Sequence, residues 1–472
     1  MNPHEQEVSQ HFDKNAPKRE YYLKKNWYYH KSLHELCGFF VRKDTSVLQI
    51  GSGSGELLSF LKPRKGVGID ISAALVSLAQ KKYRKLKFLH QDIHQISLRE
   101  KYDYVILSDV IGHLSAVQKV FENIKKVSDQ DTRIIITYYN FLWEPFIILA
   151  EKLGLKMPNL TQNWLSLNDI QNLLYLADLE VVKKGNALLI PIYIPYISNF
   201  INKYIARLPL IKQLCLVQYV VARRKPTNLK KEYKVSVIIP ARNEEGNIEN
   251  AVRRTPKLGK WDELIFVEGN SSDQTKKEIQ RVIEKYKKRR NLRLISQGKG
   301  RGKGDAVRKG FAKAKGDILM ILDADLTMPP EELPKYYKVI SERTGEFVMG
   351  SRLVYPMENQ AMRFLNILGN KFFSLPFSFL LDQKIKDTLC GTKVLFKDHY
   401  NQIVKNRSYL GDFDPFGDFD LIFGAAKLNL KIVEIPIRYK ARTYGETNIS
   451  RFKHGYLLFK MVIFASKKIK FI

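Results

Sequence analysis

Cysteine is almost absent: Cys37, Cys215 and Cys390 are the only three in 472 residues. Thiols so few and so scattered exclude a disulfide framework and a CxxC metal site, and they fit a reducing compartment. Acid is scarce as well. Lys and Arg number 79 against 48 Asp and Glu, a formal net charge of +31, so anionic partners are favoured. No helix-turn-helix, zinc-finger or RNA-binding signature accompanies that charge, and nucleic acid is not expected as a partner. No uncharged apolar run reaches roughly 20 residues, the length of a bilayer-spanning helix. The stretch MNPHEQEVSQHFDKN lacks the apolar core of a signal peptide, so a cytoplasmic protein is expected. Three shorter apolar segments occur, Leu188–Phe200, Phe372–Leu381 and Tyr456–Ala465. Each alone reads as core. Together with the positive charge they predict peripheral association with the cytoplasmic face of an anionic membrane.

The chain is too long for one ordinary domain, and 44% hydrophobic content is enough for two cores. Arg223–Lys234 (RRKPTNLKKEYK) is charged, contains Pro and has little apolar content, the signature of a linker. Domains are expected at 1–226 and 227–472. Both halves alternate Val/Ile/Leu-rich strands with helical stretches, the pattern of α/β folds with mostly parallel sheets. Strands are expected near 46–50, 66–70, 86–89, 103–108 and 132–138, with 179–183 and 215–222 completing the first sheet. The second half is expected to hold strands near 235–240, 263–267, 292–296, 317–322 and 346–350.

In the first half, Ser46–Ile50 runs directly into Gly51-Ser-Gly53-Ser-Gly55 and a helix. Glycines there let the backbone turn tightly and approach a nucleotide. The spacing is GxGxG, and Glu56 stands where a dinucleotide-binding GxGxxG would need its third glycine. Asp70 ends the next strand, where a carboxylate can accept both ribose hydroxyls. Asp92 follows the third strand and Asp109 the fourth. This set resembles class I S-adenosylmethionine-dependent methyltransferases over roughly Asn26–Arg223. The resemblance implies a Rossmann-like sheet and a donor site made of Gly51, Gly53, Gly55, Asp70, Asp92 (toward the adenine amino group) and Asp109 (near the methyl). Gln49 replaces the family's acid before the glycines. His113 is a candidate general base, its imidazole titrating near neutrality.

In the second half, Val235–Pro240 leads to Asn243 and Glu244, and Glu263–Val267 leads to Glu268 and Asp273. The loop Gly298–Ala306 carries Arg301 and Lys303 at the start of a helix, where backbone amides and cations suit a diphosphate. Ile318–Leu322 ends in Asp323-Ala-Asp325, two carboxylates on one side of an extended chain. Such hard oxygen ligands hold Mg²⁺ or Mn²⁺. In this order the motifs resemble family 2 glycosyltransferases of GT-A fold, over roughly Tyr233–Phe471. The resemblance implies a nucleotide-sugar donor at Pro240, Asn243, Glu244, Glu268, Asp273, Arg301, Lys303 and Asp323, with metal on Asp323 and Asp325. Gly350-Ser-Arg352 and Arg363 resemble the branch of dolichol- and polyprenyl-phosphate sugar synthases, in which such arginines hold the lipid phosphate. Asp420 matches the acidic position of the family's base-bearing helix. Glu268 and Gly269 replace the family's paired aspartates, and Asn448 replaces a terminal lysine.

A bifunctional enzyme is therefore expected. One domain transfers a sugar with inversion to a glycan, glycolipid or polyprenyl-phosphate acceptor, and the other methylates in the same pathway. Two alternatives stay open. One is a polyprenyl-phosphate sugar synthase with a regulatory or inactive methyltransferase half. The other is a non-catalytic nucleotide-binding module recruited to membranes.

Overall fold

The computed structural model describes residues 1–227, 231–300, 302–355, 364–405, 419–445 and 451–470. They form two compact units, Met1–Lys225 and Pro226–Lys470.

The first unit is built on a seven-stranded sheet. Its strands are β1 Ser46–Ile50, β2 Lys65–Asp70, β3 Lys87–His90, β4 Tyr104–Ser108, β5 Arg133–Tyr139, β6 Leu179–Ala187 and β7 Val217–Arg224. The order is β3-β2-β1-β4-β5-β7-β6, parallel except for β7, which runs against both neighbours. The central strands read as continuous apolar runs because helices cover both faces. Val47, Leu48 and Ile50 of β1 are wholly buried, as are Val105, Ile106 and Leu107 of β4.

The second unit repeats the layout. Its strands are β8 Lys234–Ala241, β9 Trp261–Glu268, β10 Asn291–Ser296, β11 Ile318–Ile321, β12 Phe347–Ser351, β13 Lys393–Phe396 and β14 Ile432–Pro436. The order is β10-β9-β8-β11-β13-β12-β14, with β13 antiparallel to β11 and β12. Strands β13 and β14 were not expected. The first has four residues and includes the buried Lys393, and the second contains Glu434 and Pro436.

In each sheet the crossovers change side once. The chain leaves β1 toward β2 and β3 on one side and returns as β4 on the other; β8 and β11 stand in the same relation. Outside the carboxyl ends of such a strand pair lies a crevice that neither crossover covers, the usual ligand site of open α/β sheets.

Arg223, expected in the linker, belongs to β7. Its side chain is buried and donates to Glu180 Oε1 from Nε at 2.8 Å and from Nη2 at 2.6 Å. Periodicity on the core face outranks charge in setting this strand's end. Of the apolar segments, Phe372–Leu381 lies in the helix Phe364–Leu381, which buries Phe377, Leu380 and Leu381 and exposes Phe372 and Leu375. The helix Arg451–Ala465 buries Leu458 and Met461 and exposes Tyr456 and Phe459. Among the described residues, no helix is long and apolar enough to cross a membrane.

Replacing Arg223 by Ala should leave Glu180 without its buried partner and lower the unfolding free energy by about 3 kcal/mol. Urea denaturation followed by circular dichroism measures this. An unchanged midpoint would show that the pair contributes nothing to the sheet edge.

Candidate functional site

At the β1–β4 switch point the backbone turns through Gly51, Gly53 and Gly55, all in the left-handed region (φ 68°, 53° and 89°). A Cβ on Gly51 would come within 2.6 Å of the Val110 side chain, so the turn excludes any larger residue. The amide of Gly53 donates to Asp70 Oδ2 at 2.7 Å and that of Ser72 to Oδ1 at 2.9 Å. These bonds fix the carboxylate at the end of β2. Burial still pushes its pKa up, against the pull of those amides.

A cavity of about 370 Å³ opens here, bounded by Gln49, Gly51, Gly53, Asp70, Asp109 and His113 among others. Several polar atoms in its wall are buried without a hydrogen-bond partner among the described residues: Gln49 Oε1, Ser52 Oγ, Arg19 Nε, Asp109 Oδ1 and His113 Nδ1. Buried polar groups are normally satisfied, so a cluster of orphans marks a place for a polar ligand. Asp109 adopts φ 55°, a strained conformation for a non-glycine residue. Burial raises its pKa to about 6, although Tyr29 donates to its Oδ2 at 2.5 Å. His113 is pushed down to about 4, chiefly by burial, and packs edge-on to Phe12. It is therefore unprotonated at neutral pH.

Asp92 does not join this set. It caps the turn Ile93–Gln95, accepting from the His94 amide at 2.8 Å, and its Oδ1 lies 3.0 Å from the His94 ring. The cavity wall at this point is made by Gln91, Ile93 and His94. Asp92 Oδ2 is buried without a hydrogen-bond partner among the described residues. The same His94 ring nitrogen, Nδ1, also lies 3.0 Å from Glu5 Oε1, and Nε2 meets Ser115 Oγ at 3.2 Å.

Glu5 belongs to a part of the site that sequence reasoning missed. The helices Pro3–Asn15 and Arg19–Lys25 close over the cavity, contributing Glu5, Val8, Phe12, Arg19 and Tyr22 to its wall. Asp13 Oδ1 accepts from Ser72 Oγ (2.6 Å) and from the Ala74 amide (3.0 Å), and Ser9 donates to the Ile71 carbonyl. The one available signal was the capping box at Asn2 and Glu5, which announces a helix but not its docking place.

At the second switch point, Asn243 follows β8 with φ 57° and accepts from the Ser272 amide at 2.8 Å. Pro240 sits within β8 opposite Val267. Glu268 ends β9, buried, and accepts from the Ser271 amide at 2.6 Å. Asp273 closes the next turn, binding the amides of Thr275 and Glu245, a role in the scaffold.

Asp323 and Asp325 emerge after β11, and each carries a cation. Lys303 Nζ lies 2.6 Å from Asp323 Oδ1, and Arg442 Nη2 lies 2.7 Å from Asp325 Oδ2. Burial would raise Asp323, but Lys303 outweighs it and holds the carboxyl below its usual range. Gly391 lies flat against this pair, and a Cβ on it would overlap Asp323 Oδ2 and Lys303 Nζ. Arg442 also reaches Glu244 Oε1 at 3.3 Å. Burial pushes Glu244 up to about 7 despite Asn247 and Arg442. The structure thus gathers Glu244, Lys303, Asp323, Asp325, Gly391 and Arg442. Arg442 was not among the residues expected at this site. Asp420 occupies the first turn of the helix Phe419–Lys427 and is buried. Arg301 and Arg363 lie outside the described residues.

Arg352 follows β12. Its Nε and Nη2 form a fork on Asp387 (2.7 and 2.8 Å), and its backbone amide joins them at 2.9 Å. Asp387 is fully buried and also accepts from Asn370. A guanidinium held this way braces the end of β12.

Residues 41–180 match the family described as "Methyltransferase domain", and residues 236–404 match "Glycosyl transferase family 2". The chain joins a methyltransferase domain to a family 2 glycosyltransferase domain. The latter is related to polyprenyl-phosphate sugar transferases. It is similar to the dolichol-phosphate mannosyltransferase of Pyrococcus furiosus, 30% identical over 221 residues, covering 46% of this chain and 59% of that protein. That of Saccharomyces cerevisiae is 38% identical over 122 residues, covering 25% of this chain and 44% of that one. The chain thus spans about half the length of these relatives. A solved structure of glucosyl-3-phosphoglycerate synthase from Mycobacterium tuberculosis aligns with TM-score 0.37 and 18% identity, over 50% of this chain and 80% of that one.

Arg352→Ala should strand the buried Asp387 and cost about 3–5 kcal/mol of unfolding free energy. Denaturant titration checks it. A stably folded variant with only a raised acceptor KM would assign Arg352 to the acceptor site.

Proposed function

We propose a bifunctional, membrane-associated enzyme. Its second unit transfers a sugar, with inversion and with a divalent cation, from a nucleotide-sugar to a polyprenyl phosphate or related acceptor. Its first unit methylates in the same pathway with S-adenosylmethionine. The proposed place of work is the cytoplasmic face of a membrane. The observation that carries the glycosyltransferase reading is the carboxylate pair Asp323/Asp325 at a switch point, each acid neutralised by a basic side chain.

The donor set fits the cation. Both ligands are hard oxygens, and Gly391, having no side chain, lets its backbone lie against Asp323 Oδ2 and Lys303 Nζ. Mg²⁺ or Mn²⁺ bound there would offset the charge on the departing nucleoside diphosphate. Lys303 and Arg442 would then turn from the carboxylates to the diphosphate oxygens. Glu268 and Asn243, at the ends of neighbouring strands, are placed for the nucleoside. The acceptor oxygen attacks the anomeric carbon opposite the diphosphate, whose C–O bond breaks with the electron pair leaving on the diphosphate. The names of the relatives, for dolichol and undecaprenyl phosphates, favour a phosphate acceptor. Such an acceptor is already ionised and needs no base; a hydroxyl acceptor would need Asp420.

The first unit fits the methyl donor through the orphaned Gln49, Ser52 and Arg19 atoms. Asp70 would accept the ribose hydroxyls with the lone pairs its two amide bonds leave free. His113, neutral and inside the wall, would accept the proton from an acceptor.

Ala at Asp323 or Asp325 should abolish Mn²⁺-dependent nucleotide-sugar binding in calorimetry. Asp420→Asn should leave that binding near normal. Turnover should then fall by a factor on the order of 10²–10⁴ for a hydroxyl acceptor and far less for a phosphate. Full metal-dependent transfer by Asp325→Ala would sink the glycosyltransferase assignment.

Asp70→Ala should weaken S-adenosylhomocysteine binding by about 1–3 kcal/mol. Equal affinity in a folded variant would remove Asp70 from the donor site.

A further inference from the structure

The cavity of the first unit opens through a rim that is apolar on its outside. The helix Glu144–Lys152 buries only Ile147 and exposes Phe146, Ile148 and Leu149, the first of them 62% accessible. A helix of a soluble domain buries an apolar stripe and exposes a polar one; this helix leaves most of its apolar side chains exposed. Across the mouth, the stretch 188–216 is turned inside out in the same way. Two of its polar side chains, Asn202 and Ser198, point inward to its own backbone. Asn202 accepts from the Leu189 and Ile190 amides, and the wholly buried Ser198 donates to the Ile192 carbonyl. Its apolar side chains point outward, with Tyr196 89% and Leu210 83% accessible. Tyr196 holds a strained φ of 62° while doing so.

The two pieces belong to one surface. Trp143 Nε1 donates to the Leu214 carbonyl at 2.8 Å, Asn140 donates to the Gln213 and Cys215 carbonyls, and Tyr193 packs on Trp27. Phe146, Leu155 and Ile192 line the cavity and are exposed at the same time, which places this surface at the mouth. Its charge is one-sided. From Leu188 to Leu216 there are three cations, Lys203, Arg207 and Lys212, and no carboxylate. On the facing helix, Glu151 is paired with Lys156.

We infer that this rim docks the methyltransferase unit on an anionic bilayer, so that the cavity opens onto lipid head groups and takes its methyl acceptor from among membrane-anchored amphiphiles. Outward aromatic and aliphatic side chains enter the interfacial region, and flanking cations meet anionic head groups. The surface is distinct from the two amphipathic helices of the second unit. The acceptor's class rests on the methyl-donor reading above, whereas the docking does not.

The test uses the full chain and vesicles of phosphatidylcholine with one third phosphatidylglycerol, the acyl chains brominated. Bromine quenches tryptophans that reach the bilayer, and Trp27 and Trp143 stand on the rim. Wild-type fluorescence should be quenched, less so as salt is raised. In Ile148→Ser/Leu149→Ser/Leu210→Ser, three exposed positions outside the cavity wall, quenching should require at least about tenfold more lipid, with S-adenosylhomocysteine affinity and melting temperature unchanged. The inference is overturned by equal quenching in the variant. It is overturned equally by vesicle binding without quenching, which would assign attachment to the second unit alone, or by sedimentation showing the rim buried between two copies. Failure of the wild type to bind S-adenosylhomocysteine would refute the methyl-donor reading and leave the docking measurement standing.

Discussion

Parallel strands cannot be joined without a crossover, and a crossover covers one face of its sheet. When successive crossovers change face, the two strands at the change are left with bare carboxyl ends. Everything chemical described in this chain sits at two such places, β1 against β4 and β8 against β11. The glycine turn, Asp70 and Asp109 gather at the first, and Asn243, Glu244 and the Asp323/Asp325 pair at the second. Sheet order positions these groups; the residues then determine which ligand suits each crevice.

The two crevices handle polarity differently. The first is a walled cavity whose buried donors and acceptors have no partners, with acids and imidazoles driven toward their neutral forms by burial. Such a wall holds a ligand through hydrogen bonds already aimed at it. The second is ionic. Lys303 holds Asp323 in its charged form, and Arg442 pairs with Asp325; both cations are drawn from elements far apart in sequence. An isolated pair of acids this close would repel.

What could be read from the residues follows from range. The glycine spacing, the apolar strand ending in Asp-x-Asp and twelve of the strands are local patterns, and they stand where periodicity put them. What was not legible came from partners distant in the chain: Arg352 is forked on Asp387, 35 residues on. Strand β13 is too short for its alternation to register, and its buried lysine reads as surface. The helices over the cavity have polar sequences, and nothing in them names the strand ends on which they lie.

Those helices impose an order on folding. Asp13 is held by Ser72 and the Ala74 amide, and Asn2 reaches Ser115. Residues 2–19 are therefore synthesised before every surface they bind, and closing loops of that length carries an entropic cost that local contacts do not. During vectorial synthesis the segment stays unattached until β4 has been laid down beside β1, and the cavity is sealed after the sheet beneath it exists. The earliest-made part of this unit is thus among the last to take its place.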